Sequence, residues 1–514
     1  MTWLRLLPAL LALLLRLVPG PRIVDDAYIT FRYARNLTAG HGLVYNPGEW
    51  VLGTTTPLYS ALLASLSAIA GLDDLTVLAW LVNALVDAVG VTLLGWLGRR
   101  LTGSWVVGIG VALLWAVAPF SVTFAIGGLE TSLVITLLLG AFALFTAGRE
   151  RASAAVLGLA TLTRPDALIA AGLVFAAIGW PWLRNRLERH PAGDPERPPP
   201  SPLAPAIIYL LVLAPWLVFA TLTYGSPLPN SIAAKTVAYH LPPEAALVRL
   251  MQHAATPFHD HLVHAHLPFL GILLYSGLYA VGAFHVTRSN PRVWPVFAYP
   301  PAYAAVYAIA NPLIFRWYLS PPVPFYLLGI LAGIWALTAV IPTLQHSGTR
   351  RATAVMAAAA LALTMQANAW TSQPPGPPPR PAPAMAWIEL ETLYHEVATD
   401  ITPELEVTGG QLAAGDIGVL GWVTAAPILD LVGLISPQAS DYYPLPDEAY
   451  VINYAVSPDL VLDERPEMIV ILEVYGRNTL AVDPGFQAAY ELWREYPSDI
   501  YGSTSMQVYR LRPS

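Results

Sequence analysis

Asp25-Asp26-Ala27-Tyr28-Ile29-Thr30-Phe31-Arg32-Tyr33 follows the first apolar run of the chain almost immediately. Two adjacent carboxylates beside a bilayer are costly unless something uses them. They stand where a lipid-borne substrate would present its polar head, which points to chemistry at the membrane surface.

The rest of the chain reads as a polytopic α-helical membrane protein. Of 514 residues, 55% are hydrophobic and 12% charged, and the mean hydropathy is +0.52, which is too apolar for a soluble domain. There is no cysteine, so disulfides, thiolate nucleophiles and Cys-ligated metals are excluded. The net charge of −7 divides unevenly. Residues 371–514 hold 20 Asp and Glu against 6 Arg, whereas residues 1–370 hold 14 acids and 21 bases. The predicted organisation is a membrane domain (1–370), a Pro-rich linker (371–383) expected to be extended and semi-rigid, and a soluble, acidic α/β domain (384–514). No nucleic-acid partner is expected.

Apolar runs predict about eleven membrane helices, near 4–22, 75–98, 104–124, 129–147, 152–163, 166–183, 203–222, 267–286, 292–310, 318–340 and 352–370. Arg99/Arg100, Arg149/Arg151, Arg184/Arg186/Arg189/Arg197, Arg288/Arg292 and Arg350/Arg351 fall on alternate connections. With a cytoplasmic N-terminus all five clusters are cytoplasmic, as basic loops tend to be. The outer loops 22–74 and 223–266 and the acidic domain are then extracytoplasmic, on a multi-pass protein of the plasma membrane.

Two segments constrain this topology. A crossing at 57–71 would put Arg99 and Arg100 outside, so an interfacial helix on the outer face is expected there. Residues 152–183 lie between two cytoplasmic clusters. As one helix they would be roughly 48 Å long against about 30 Å of hydrocarbon. Two short arms meeting outside at Arg164-Pro165-Asp166 resolve both points. A cleaved leader is the alternative for the first run, but no small-x-small site stands clearly before Asp25. No internal repeat is evident, which weakens the inverted-repeat pattern of many transporters.

Within this topology seven bases of the membrane half are extracytoplasmic: Arg22, Arg32, Arg35, Arg164, Lys235, Arg249 and Arg316. Lys235 is the only lysine in the chain. Such a set can hold an anionic head group, most simply a phosphate, or can snorkel and form ion pairs. Asp25 or Asp26 can accept a proton from a hydroxyl nucleophile, or the pair can cap a helix over 27–37. Glu130 at the head of the fourth span is a helix-terminal charge or a site wall. Arg16, inside the first span, is expected to be structural and able to snorkel outward, and Asn83 and Asp87, at i,i+4 on one helix face, to pack into the bundle interior. His259-Asp260-His261, His264 and His266 show no closed metal-ligand spacing, so no metal site is assigned, and a solvated loop or interfacial helix is expected. There is no Gly-rich phosphate loop and no GxSxG elbow.

In the C-terminal domain, 418–422, 428–432, 468–473 and 507–511 read as strands, and 386–399 and 486–495 as helices. Asp416 and Asp430 border strand-like runs and are expected to be turn residues.

The first loop resembles that of GT-C membrane glycosyltransferases, in Asp25-Asp26-Ala27-Tyr28-Ile29-Thr30-Phe31-Arg32-Tyr33, Gly40-His41-Gly42-Leu43-Val44-Tyr45-Asn46-Pro47-Gly48-Glu49 and Thr56-Pro57-Leu58. It is most similar to mannosyltransferase-like proteins and the mycobacterial terminal arabinofuranosyltransferase group. Gly128-Leu129-Glu130-Thr131, Leu162-Thr163-Arg164-Pro165-Asp166, Leu228-Pro229-Asn230 with Lys235, and Arg316-Trp317-Tyr318 follow in the expected order. Gly415-Asp416-Ile417-Gly418 and Asp430-Leu431-Val432-Gly433-Leu434 extend the likeness into the last domain. Val51-Leu52-Gly53 departs from it, where relatives often carry a more polar stretch ending in Tyr, and this leaves the acceptor open.

The resemblance implies an inverting transferase with a polyprenyl-phosphate sugar donor, a glycan, glycolipid or protein acceptor, and Asp25 or Asp26 as base. Tyr28, Arg32, Arg35, His41, Glu130, Arg164, Asp166, Asn230, Lys235, Arg316 and Tyr318 are the candidate substrate-binding residues. No organic cofactor is called for; a divalent cation at the carboxylates is left open. The alternative is a transporter or flippase of an anionic lipid-linked solute, using the same charges without bond breaking.

Overall fold

The computed structural model describes residues 3–187, 201–258, 267–384 and 388–513. The membrane half runs through α1 (Trp3–Leu17), α2 (Asp25–Thr38), α3 (Pro57–Ala70), α4 (Leu75–Thr102), α5 (Trp105–Val117), α6 (Pro119–Ile126), α7 (Thr131–Thr146), α8 (Glu150–Thr163) and α9 (Leu168–Leu187). It continues through α10 (Leu203–Tyr224), α11 (Asn230–Ala238), α12 (Ala245–Ala255), α13 (Leu267–Ser289), α14 (Trp294–Ala310), α15 (Val323–Leu337), α16 (Pro342–Gln345) and α17 (Gly348–Ala367). Each of the eleven apolar runs contains a helix. Among the described residues five helices are individually long and apolar enough to cross a bilayer, or six if α5 and α6, bent by 49°, form one span. Others, such as α1, α7 and α8 with 15, 16 and 14 residues, fall short of the roughly 20 that a perpendicular crossing takes.

Local chemistry sets the boundaries. Asp74 caps α4 by accepting from Thr76 N and Val77 N, and Gly103 ends it in the left-handed region at φ 73°. Pro165 disfavours a helical conformation for the residue before it. Arg164 is accordingly extended and separates α8 from α9, which is the break the sequence predicts. Where α13 crosses α15, a Cβ on Gly282 or Gly333 would collide with the opposite backbone; small residues allow such close packing without a hydrophobic drive between helices. Arg16 lies wholly buried in the bundle and pairs with Asp87 at 2.9 Å. It also donates to Ala116 O at the end of α5 and to Ser121 Oγ, both at 2.5 Å. Asn83 accepts from Tyr59 and donates to Ala125 O and Leu129 O.

The linker is not an extended spacer. β1 (Trp370–Thr371) pairs antiparallel with β2 (Ala382–Pro383), so the Pro-rich run forms a closed loop. Arg22 holds it by donating to the carbonyls of Pro375, Pro378 and Arg380. The C-terminal domain carries α18 (Ile388–Thr408), β3 (Leu412–Ala414), α19 (Gly418–Thr424), β4 (Ile428–Asp430), β5 (Met468–Leu472), β6 (Tyr490–Pro497) and β7 (Ser505–Leu511). The sheet order is β4-β3-β5-β7-β6, parallel among the first three strands and antiparallel beyond. Its core is continuous with the first outer loop through Val24, Ala27, Phe31, Tyr45, Ile417 and Leu420.

Two predicted elements of this domain differ. Residues 418–422 form a helix, not a strand, because their N-terminus receives a cap from α2, described below. Residues 486–495 are a short helix at Pro484–Ala489 followed by β6; antiparallel pairing with β7 overrides the helical pattern. The histidine run 259–266, Arg189, Arg197 and residues 386–387 of the predicted helix 386–399 lie outside the described residues.

Candidate functional site

A cavity of about 540 Å³ opens where α2, the loop before α3, the head of α7, the α8–α9 break, α11 and the segment after α14 meet. Its charged wall residues are Asp26, Glu130, Arg164, Asp166 and Lys235, joined by Tyr239, Tyr307, Trp317 and Tyr318. Side chains from far-separated stretches of sequence thus converge on one space.

The two cations on this wall are held differently. Arg164 donates to Glu130 Oε1 at 3.3 Å and to Asp166 Oδ2 at 2.8 Å, and its guanidinium lies 5.1 Å from the Tyr318 ring centroid. The hydroxyls of Tyr303 and Tyr307 also donate to Asp166, at 2.9 and 3.2 Å. Two carboxylates therefore balance Arg164 and fix its orientation. Lys235 sits 4.8 Å from the Phe315 ring centroid. Burial depresses its pKa, but the Tyr318 hydroxyl and the Asp26 carboxylate outweigh this, so the ammonium stays charged. Opposite it, burial raises Asp26, and Lys235 opposes the rise.

Asp25 and Asp26 face different neighbours. Asp25 turns to the C-terminal domain, where its Oδ2 accepts from Gly418 N at 3.0 Å and its Oδ1 from Val419 N at 2.7 Å. It thereby caps α19 from 393 residues upstream, at a glycine whose Cβ would strike it. Its own N–H donates to Glu391 Oε1 at 3.2 Å. Burial and then Asp416 push the Asp25 carboxyl well above the usual range, and burial and then Asp25 do the same to Glu391. The Asp416 carboxylate accepts from Tyr394 at 2.5 Å.

Other candidates also hold the last domain in place rather than line the cavity. Arg32 donates to Tyr45 O at 2.9 Å, Gly421 O at 2.5 Å and Ala426 O at 2.7 Å. Arg35 lies 4.3 Å from the Trp422 ring centroid. Tyr28 hydrogen-bonds His395 at 3.1 Å. Asn230 donates to Gly433 O at 2.6 Å and Leu434 O at 3.2 Å. His41 is exposed on the outer loop. Arg316 precedes the wall residues Trp317 and Tyr318 and lies within electrostatic reach of Tyr501. Asp430 is a turn residue, its carboxylate accepting from Val432 N and Ile435 N.

Among the described residues no three His, Asp or Glu side chains stand together as a metal-binding group. Asp25 already accepts two N–H bonds, so the donor set around Asp26 does not fit a cation bound by protein alone.

Two solved structures share the fold of this chain. ArnT from Cupriavidus metallidurans bound to undecaprenyl phosphate superposes with a TM-score of 0.55 at 14% identity, covering 100% of this chain and 99% of that one. The archaeal oligosaccharyltransferase AglB from Archaeoglobus fulgidus, in complex with an inhibitory peptide and a dolichol-phosphate, gives 0.57 at 12% identity, over 100% of this chain and 74% of that one. The chain has the GT-C fold. Residues 389–509 match a family described as a domain of unknown function (DUF8728). The comparison with curated proteins gives no match. In this GT-C fold the cavity is lined by the membrane half, with Leu434 reaching it from the C-terminal domain. Sequence reasoning did not single out Tyr239, which lines it, or Tyr303 and Tyr307, which brace Asp166. Tyr303 and Tyr307 stand four apart on α14, a spacing that puts both on one helix face.

Proposed function

We propose that the chain is an integral membrane glycosyltransferase. It transfers a sugar from a polyprenyl-phosphate donor to a hydroxyl of a cell-envelope glycan, glycolipid or protein at the outer face of the plasma membrane. The supporting observation is the pairing of Asp26 with Lys235 across one cavity, while Asp25 is committed to α19. In this reading the acceptor hydroxyl attacks the anomeric carbon and gives its proton to Asp26. The bond from that carbon to the phosphate oxygen breaks with inversion, and polyprenyl phosphate leaves. Lys235 meets the negative charge that grows on the leaving phosphate, an interaction stronger in the transition state than in the bound donor. Glu130, Arg164, Asp166 and Tyr318 hold the donor's sugar and phosphate, with Arg316 at the rim. Tyr28, Arg32, Arg35 and Asn230 hold the C-terminal domain over the site. The lipid carriers in the ArnT and AglB structures agree with such a donor.

The test is Asp26→Asn, which keeps shape and removes proton acceptance. Loss of a general base costs about 10²–10⁴ in rate. Turnover should fall by that factor with donor affinity retained; unchanged turnover would refute Asp26 as the base.

A further inference from the structure

A line of aromatic rings leaves the cavity and enters the C-terminal domain. Trp317 and Tyr239 are on the cavity wall. Phe315 stacks on Trp317 with centroids 4.8 Å apart. Tyr239 meets Phe315 at 6.4 Å and Tyr454 at 5.9 Å, and Tyr454 meets Tyr475 at 5.2 Å. Asp416 stands beside this line: the neighbouring Gly415 packs against the Tyr454 ring, and Tyr394 donates to the Asp416 carboxylate. The carboxylate is also within electrostatic reach of Tyr239, Tyr475 and Tyr501.

Burial along the line is uneven in a telling way. Tyr394 and Tyr454 are buried and act as supports. Phe315, Trp317, Tyr239, Tyr475 and Asp416 are only half-buried, and Tyr501 is 57% exposed. Asp416 and the rings that flank it thus keep part of their surface open to solvent. A saccharide suits such a surface, because its C–H faces lie on ring faces while a carboxylate accepts from two adjacent hydroxyls.

We infer that this strip, with Asp416 at its centre, is a saccharide subsite continuous with the reaction cavity, and that it selects a glycan as the acceptor. The acceptor role rests on the transfer reading above; saccharide binding does not.

The test uses the full chain in detergent micelles and two probe panels: manno-, gluco-, galacto- and arabino-tetrasaccharides, and Ser-, Thr- or Asn-containing peptides. Binding is followed by saturation-transfer NMR, and acceptor KM and kcat by release of lipid phosphate. At least one tetrasaccharide should bind. Tyr501→Ala, a surface change that leaves the core intact, and Asp416→Asn should each weaken binding tenfold or more, whereas Asp26→Asn should bind like the parent. Tyr501→Ala should raise acceptor KM with kcat changed less than about twofold. Binding of peptides but no saccharide, no binding by either panel, or saccharide binding unaltered by both strip variants would overturn the subsite. Saccharide binding with no lipid phosphate release would overturn the transfer reading and leave the subsite standing.

Discussion

Replacing Asp25 with alanine removes the side chain that, among the described residues, accepts from the first two amides of α19. Both hydrogen bonds, at 2.7 and 3.0 Å, link the first outer loop to the C-terminal domain. Hydrogen bonds to a charged acceptor contribute about 1.5–3 kcal/mol each, and loss of a helix cap costs about 0.5–2 kcal/mol. Asp416 and Asp26 crowd the same carboxyl, so its removal also relieves repulsion. The expected net cost is about 2 kcal/mol, confined to the docking of α19 on α2. Amide exchange over Gly418–Thr424 should then rise about 30-fold, the equivalent of that energy in a local opening equilibrium. Turnover should drop far less than in Asp26→Asn. Unchanged exchange in α19 together with abolished turnover would show that Asp25, not Asp26, takes the proton.

Lys235→Met should lower the rate constant at saturating donor by about 10²-fold or more, as loss of a transition-state charge partner does; a rise in the donor concentration needed, with the limiting rate intact, would assign Lys235 to binding alone. Asp430 is pushed up to about 6 by burial, against backbone N–H groups that favour its anion. The folded state therefore holds the proton more tightly than the unfolded one. This contribution, ~3 kcal/mol, is fully present below pH 4 and is lost as pH rises through 6. Protection factors around β4, corrected for the intrinsic pH dependence of exchange, should fall over that window in the parent and stay flat in Asp430→Asn. In this cysteine-free chain, single cysteines at 41 and 450 should label from the same side of the membrane, and one at 350 from the other; labelling of 350 with the first two would overturn the orientation.

Local rules made much of the membrane half legible. Each of the eleven apolar runs contains a helix, and Arg164-Pro165-Asp166 separates two of them because proline restricts the residue before it. Asn83 and Asp87 lie in the bundle interior, as expected of polar groups in so apolar a run, whereas Arg16 is wholly buried on Asp87 rather than snorkelling outward. The roles of the first-loop residues were not legible, because they depend on partners nearly 400 residues away. Asp25 and Asp26 are indistinguishable as a dipeptide, yet one caps α19 and the other faces the cavity. Arg32 looked like a phosphate ligand by type, but its donors meet the carbonyls of Gly421 and Ala426. The cap that Asp25 places on Gly418 N and Val419 N explains why 418–422, β-like by composition, folds as a helix. The line from Trp317 to Tyr475 was hidden for the same reason, since its rings come from three distant segments.

The central claim is bond breaking rather than carriage, and the release of free polyprenyl phosphate tests it most directly. Purified protein in liposomes, given polyprenyl-phosphate-linked sugars and a mixed pool of glycan, glycolipid and peptide acceptors, should liberate lipid phosphate in step with loss of the linked sugar. Asp26→Asn should suppress that release. Movement of intact lipid-linked sugar across the bilayer, with no lipid phosphate formed by the parent protein, would contradict the account and identify a transporter.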